Sequence, residues 1–507
     1  MPGLPHMLPE EFVSSMMRAA VSAPDSRAVI AGDRTASFAE LANRARYYAA
    51  LFRQLGLCPG QRVSYYARSS VDLIAAAAAV FLENAVFTSM HPGFSPTRLA
   101  KKLHDCDAAF LLTDRPDCLP ENTFEQVHQD AGLFLLARRS PARQENRPDL
   151  GAIFYTSGSS GEPKGVAVTP KAMLAAQTAV SDYLSLTAHD VVMSFTTLGS
   201  DFGFYNCFIP MNAGAAAVLE TELPGRNGDI FNRLELLGVT GLHVFPGVLH
   251  ALAAAASEET VNTTVRYICS TGQAFPSALL ARLRRLFPKA QIFSSYGMTE
   301  CKRIAFLPDG ELEEATGSVG RPLEGLRAYL LDESDAPVLE ANQPGELVLA
   351  GDQLMEGYWN DTKATRKVFL HDRRGESRLL RTGDVFRRDG ARRYWFVGRM
   401  DEAFTRNGFQ VDPREIERAA LTAPGVRDAL VVALPHPVEG LQPAIAVTCE
   451  RTGAEQEAAV RAACTGRLEQ HMQPVRYLLL ERLPQDASGK TSHRALTEIF
   501  LSQAGAI

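Results

Sequence analysis

Residues 154–166 read FYTSGSSGEPKGV. An apolar stretch, Ala152 to Tyr155, runs into a loop of threonine, serines and glycines that carries one lysine. That pattern predicts a strand whose end opens into a loop. Glycines let the backbone approach a phosphate closely. Hydroxyls and N–H groups donate to its oxygens, and Lys164 adds positive charge. A Walker-A loop needs GxxxxGK followed by Ser or Thr. Here Gly158 is followed by Gly161, and Lys164 by Gly165, so that pattern fails. A plain flexible linker explains glycine and serine. It does not explain four hydroxyls followed by Pro-Lys-Gly.

Outward from this loop, the chain alternates helical and strand-like stretches. Ser37 to Leu55 has apolar positions at helical spacing, Arg62 to Tyr66 reads as a strand, Val71 to Leu82 as a helix and Ala109 to Leu112 as a strand. The same alternation runs from Thr169 to about Phe293, which predicts an α/β fold with largely parallel sheets. From about Gly317 to Val397 glycine and alternation become denser, as in Gly345 to Ala350, and a small β-rich subdomain is expected. Asp401 to Ile507 mixes charged helices with short strands such as Ala429 to Ala433, as a small α+β lid would.

The 507 residues suggest two or three domains, and the net charge of -6 argues against a general nucleic-acid binder. Cys58, Cys106, Cys118, Cys207, Cys269, Cys301, Cys449 and Cys464 form no CxxC pair and no zinc-site spacing. Buried free thiols in a reducing, cytoplasmic compartment are expected. Met1 to Glu10 lacks a basic stretch leading into an apolar run, so no secretory signal is expected. The apolar run Leu73 to Leu82 is too short to span a bilayer, so no membrane association is expected.

Further motifs follow in order. Ser295-Tyr-Gly-Met-Thr-Glu300 is one, Arg381-Thr-Gly-Asp384 the next. Then come Gly398 to Gly408 with Val411 to Glu417, and finally Leu483-Pro-Gln-Asp-Ala-Ser-Gly-Lys490 with Arg494. Taken singly, the tripeptide TGD reads as a turn and a lysine as a solvated charge. Together with the phosphate loop, the series resembles the adenylate-forming superfamily of acyl-CoA synthetases, peptide-synthetase adenylation domains and luciferases, over about Phe38 to Ala495.

The resemblance implies a large N-terminal domain over 1–397, a hinge at 398–401 and a mobile lid over 402–507. It implies an ATP- and Mg²⁺-dependent acid–thiol ligase. Thr156, Ser157, Gly158, Ser159, Ser160, Gly161 and Lys164 would hold the β- and γ-phosphates. Gly272, Gln273, Ala274, Tyr296 and Gly297 would line the nucleotide, with Tyr296 against adenine. Thr299 would bond the α-phosphate, Glu300 would hold the metal, and Asp384 would accept the ribose hydroxyls. Arg399 would contact ribose or phosphate, Asp401 would be the pivot, and Gly408 would line a thiol tunnel. Thr405 stands where many relatives carry lysine. Lys490 would bind the substrate carboxylate and the α-phosphate.

The segment Asp201-Phe-Gly-Phe-Tyr-Asn-Cys-Phe-Ile-Pro-Met-Asn-Ala-Gly-Ala215 lies on the family's substrate-pocket helix without a gap. Asp201 falls where amino-acid-activating members keep an aspartate for the ammonium, but Ser200 replaces their usual phenylalanine, and Arg303 is a second candidate partner for Asp201. Phe202, Tyr205, Val244, Cys269, Thr271, Ser295, Arg303 and Ile304 complete the implied pocket. The substrate the resemblance implies is a small carboxylic acid or an amino acid. The chain shows no Gly-x-Asp-Ser phosphopantetheine motif, so the acceptor is expected from outside, as coenzyme A or a separate carrier protein. A monomer or homodimer is expected. Three rivals stay open: a non-catalytic relative, an enzyme retaining one half-reaction, and a luciferase-like oxygenase.

Overall fold

The computed structural model describes residues 7–119, 123–140, 144–156, 164–220, 229–271, 277–332, 334–373, 375–399, 404–449, 453–484 and 493–504. The chain divides into two compact units, Met1–Tyr155 with Lys164–Val397, and Thr156–Pro163 with Gly398–Ile507.

The larger unit is built on two sheets. In the first, six strands run parallel in the order Arg27–Ala31, Ala216–Leu219, Val191–Ser194, Gly241–Val244, Tyr267–Thr271 and Gln291–Met298. Their buried four- and five-residue runs, such as Val191–Ser194, suit a sheet covered on both faces. Gln291–Met298 then folds back on Lys302–Leu307 as an antiparallel hairpin. The strands expected as a separate β-rich subdomain continue from that hairpin: Ser318–Pro322, Tyr394–Arg399, Glu376–Arg388, Pro344–Gly351 and Leu326–Leu331. The second sheet runs from Gly357–Tyr358 through Lys164–Val168, Ala152–Thr156, Val86–Ser89, Arg62–Tyr66 and Phe110–Thr113 to the hairpin of Leu133–Arg138 and Phe124–Asp130.

Local signals explain the helix bounds. Phe38–Gln54 starts where the Ser37 hydroxyl accepts from the Glu40 amide at 3.2 Å and the Glu40 carboxylate accepts from the Ser37 amide at 2.8 Å, a reciprocal cap. Val71–Leu82 is capped by Ser70, and every residue from Val71 to Phe81 is buried; all are apolar except Asp72, which pairs with Arg34 and Arg44. The side chains Phe12, Phe81, Phe87, Phe154, Phe204 and Phe208 meet at the centre of the main core.

The smaller unit has its own core around Ile416, Val431, Ile445 and Val460, beneath a five-stranded sheet. Its strands Phe404–Arg406 and Phe409–Val411 are joined by Asn407-Gly408, with φ of 49° and 80°. Positive φ at both turn positions is what a tight two-residue hairpin demands, and Asn-Gly meets it at least cost. Among the described cysteines Cys106, Cys207, Cys269, Cys301, Cys449 and Cys464 are buried; Cys58 departs from the expectation and is exposed. No described helix is long and apolar enough to cross a membrane.

Candidate active site

Several of the residues expected in the pocket stand at the C-terminal edge of the parallel strands. Val244 and Thr271 end their strands, Asp201 opens the helix Asp201–Asn212, and Ser295 lies beside Thr271 in the sheet register. Ligands of open α/β sheets bind at that edge. Phe202, Tyr205, Val244, Cys269, Thr271, Ser295 and Ile304 are all buried. The Ser295 hydroxyl donates to the Ser270 carbonyl at 3.0 Å and lies 3.8 Å from the Cys269 sulfur.

Asp201 sits in the first turn of a helix capped by Ser200, and its Oδ1 accepts from the Phe202 amide at 2.8 Å. A helix N-terminus favours a carboxylate. The Arg303 guanidinium lies over the Phe202 ring, 4.3 Å from its centroid, and its Nη2 donates to Asn206 Oδ1 at 3.2 Å. No salt bridge joins Asp201 to Arg303, so the pairing anticipated as an alternative partner for Asp201 is not formed; Asn206 and the Phe202 ring hold the guanidinium instead. Burial pulls the Arg303 pKa down, against the attraction of Cys269, Asp201 and Tyr183.

Beneath Arg303 runs a buried polar chain that sequence reading did not find. His243 Nδ1 faces Asn206 Oδ1 at 3.0 Å, His243 Nε2 faces the Tyr267 hydroxyl at 3.0 Å, and Asn206 Nδ2 donates to Ser194 at 3.1 Å. Because Asn206 Oδ1 also accepts from Arg303, it fixes Nδ1 as the protonated nitrogen and leaves Nε2 to accept from Tyr267. Burial, then the nearby Arg303 charge, lowers the His243 pKa to about 3, so the ring is neutral. Asn206 stood inside the quoted pocket segment; its polarity in an apolar helix was the available signal.

The segment 295–300 leaves the sheet by way of a turn into an antiparallel strand. A Cβ placed on Gly297 would lie 2.1 Å from the Lys302 carbonyl oxygen, so only glycine permits this close approach. Lys302 itself adopts φ of 63° and is buried, and its ammonium donates to the Thr299 carbonyl at 2.5 Å. Burial lowers its pKa to about 8, opposed by Asp201, Cys301 and Glu300. Sequence reading passed over Lys302 because ordinary lysines are exposed.

Glu300 Oε1 accepts from the Tyr358 hydroxyl at 2.9 Å, and the Lys164 ammonium lies 5.1 Å from the centre of the Tyr358 ring. Tyr358 thus bridges the lysine of the phosphate loop and the carboxylate expected to hold a metal. The other oxygen of Glu300 has no hydrogen bond among the described residues, and no cluster of three His, Cys, Asp or Glu side chains forms among them. A single open carboxylate suits Mg²⁺, which completes its shell with phosphate and water oxygens.

The Tyr296 hydroxyl donates to Asp384 Oδ2, and its ring packs edge-on against Phe386, 5.0 Å between centroids. The TGD tripeptide is not a free turn: it lies inside the strand Glu376–Arg388, where the register shifts. There Asp384 N is bonded to the Thr382 hydroxyl at 3.1 Å, and Gly383 N to Glu346 at 3.1 Å. Arg381 neutralises the buried Glu346 at 2.7 Å.

Thr156 ends the strand Ala152–Thr156 and Arg399 the strand Tyr394–Arg399. Ser157, Gly158, Ser159, Ser160, Gly161, Gly272, Gln273, Ala274, Asp401 and Lys490 lie outside the described residues. Gly408 belongs to the hairpin turn of the smaller unit.

The chain is 29% identical over 498 residues to syringomycin synthase SyrB1 of Pseudomonas syringae pv. syringae, covering 93% of this chain and 79% of that protein. It is 28% identical to a plipastatin synthase protein of Bacillus subtilis over 94% of this chain, and there spans 19% of the relative's length. The fold matches o-succinylbenzoate CoA synthetase (MenE) of Bacillus subtilis with a TM-score of 0.81 at 24% identity, covering 96% of this chain and 98% of that one. It also matches the amide bond synthetase McbA of Marinactinospora thermotolerans with a TM-score of 0.82 at 22% identity, covering 97% and 100%. The family described as AMP-binding enzyme matches residues 16–359, and its C-terminal domain matches residues 415–490. The chain therefore belongs to the AMP-binding enzyme family.

Proposed function

We propose that the protein uses ATP and Mg²⁺ to convert a carboxylic acid into an acyl-adenylate, and then passes the acyl group to the thiol of coenzyme A or of a carrier protein's phosphopantetheine. The observation that carries this reading is the line Lys164–Tyr358–Glu300, which aligns a phosphate-loop cation with an open carboxylate. MenE, a structural neighbour, is described in complex with ATP and magnesium ion, which supports the same assignment here.

In the first step a substrate carboxylate oxygen attacks the α-phosphorus of ATP, and pyrophosphate leaves. Thr299 and Lys490 would stabilise the charge that builds on the phosphoryl oxygens. Magnesium on Glu300 would add charge neutralisation at the phosphates. The phosphate loop, Thr156 to Gly161 with Lys164, would clamp the β- and γ-phosphates. Tyr296 would lie along adenine and Asp384 would accept the ribose hydroxyls, the first held in place by its bond to the second. A carboxylate nucleophile needs no general base, and alignment lowers much of the remaining barrier. Rotation about Asp401 would then exchange Lys490 for the Gly408 hairpin and admit the thiol.

An amino-acid substrate is the second reading, supported by Asp201 and by the peptide synthase relatives. Lys302 and Arg303 oppose it, because both cations act on Asp201 and would repel an ammonium. The test is to incubate the protein with ATP, Mg²⁺, an acid and coenzyme A. Formation of AMP together with an acyl-coenzyme A of the expected mass supports the proposal; ATP turnover yielding ADP contradicts it.

A further inference from the structure

Resting on the adenylation reading, we infer that the acid this enzyme activates is a dicarboxylic acid, whose second carboxylate is received by Arg303 and Tyr183 at the far end of the pocket.

The inference comes from unbalanced donors and charge. Arg303 Nε and the Tyr183 hydroxyl are buried and have no hydrogen-bond partner among the described residues. Both are donors, each acts on the other, and Cys269 acts on both. A buried donor left unmade costs free energy, and a buried charge without a counter-ion costs more. The neighbouring groups do not settle that cost. Asn206 is neutral, His243 is held neutral, and the Cys269 thiol is held protonated by burial. Among the described residues Asp201 is the one carboxylate acting on Arg303, and it also acts on a second cation, Lys302, without a salt bridge to either.

The guanidinium is also pre-positioned. Phe202 supports one face, and Asn206, anchored by Ser194 and His243, holds one terminal nitrogen. That leaves Nε to present a planar donor edge, the geometry arginine uses for carboxylates. A monocarboxylate would leave Arg303 Nε and Tyr183 unsatisfied beneath its apolar tail. A dicarboxylate supplies acceptor oxygens and the missing negative charge together, as substrate discrimination by buried polar groups requires.

The test is acid-dependent exchange of labelled pyrophosphate into ATP with matched skeletons: benzoate, isophthalate and isophthalate monoamide, and hexanoate and adipate. The diacid of a pair is expected to give kcat/KM at least about tenfold above its monoacid, since an unpaired buried donor site rejects the analogue lacking its partner. Arg303→Met is expected to raise KM for the diacid and to abolish its preference over the monoacid, with circular dichroism and thermal unfolding reporting that the variant is folded. Arg303→Lys should keep part of the preference. Exchange with monoacids as good as with diacids, or with monoamide as good as with diacid, overturns the inference and leaves adenylation standing. Silence with every acid overturns adenylation and the inference with it.

Discussion

Tyr358 donates its phenolic proton to the Glu300 carboxylate at 2.9 Å, across 58 residues of sequence. The bond orients the carboxylate, as the residues behind a metal ligand commonly do, and leaves its other oxygen without a hydrogen bond among the described residues. Tyr358 reaches this place because it pairs with Val166 in the strand that begins with Lys164, so one backbone ladder sets both ends of the line.

Replacing Tyr358 by Phe should loosen Glu300 without removing it. Half-maximal pyrophosphate exchange should then need about tenfold more Mg²⁺, the lower range for loss of a residue that orients a ligand. A magnesium titration of wild type and variant reads this directly. An unchanged titration would count against Glu300 as the metal ligand.

Gly297→Ala should be poorly tolerated. The added methyl would meet the Lys302 carbonyl oxygen at 2.1 Å, and relief requires opening the turn that carries Thr299 and Glu300. We expect a loss of about 1–3 kcal/mol in stability and a larger relative loss of exchange. Thermal unfolding and exchange on one preparation separate the two. A variant with normal stability and normal exchange would show that the turn has more room than its geometry indicates.

His243 should make the larger unit sensitive to acid. Its pKa is lowered to about 3 by burial, below its ordinary value of 6.5. The unfolded chain therefore binds a proton that the folded chain does not in that window. The contribution is complete above pH 6.5 and is lost as pH falls towards 3. The slope is at most about 1.4 kcal/mol per pH unit. Urea unfolding from neutral to mildly acidic pH should show a shallower pH dependence in His243→Gln. Parallel curves would contradict a neutral, buried His243.

Asp401→Pro tests the proposed pivot. Proline restricts the backbone torsion that rotation uses. Pyrophosphate exchange should survive while acyl transfer to the thiol falls by about tenfold or more, as for conformational steps that gate a second reaction. Equal loss of both steps would speak against Asp401 as the hinge.

Much of the scaffold was legible in the sequence. Arg62–Tyr66 and Val71–Leu82 fold as read, the helix because its run is apolar apart from Asp72, and Ser37 and Ser70 mark helix starts through their own hydroxyls. Of the residues that the resemblance assigns to a pocket, Asp201 opens a helix and Val244 and Thr271 end strands. What escaped reading was pairing at a distance. Tyr358 on Glu300, His243 on Asn206 and Tyr267, and Arg303 on Asn206 are set by strand register and helix facing, and no spacing along the chain encodes them. Lys302 escaped for another reason: its left-handed backbone turns it inward, against the habit of lysine.

The central claim is reversible adenylation, and acid-dependent ATP–pyrophosphate exchange tests it most directly, with wild type and Lys490→Ala compared. The account predicts exchange that requires both an acid and Mg²⁺, and a loss of about a hundredfold or more in the variant, as for removal of one preorganised charge donor. Exchange independent of any acid, or undiminished in Lys490→Ala, would contradict it.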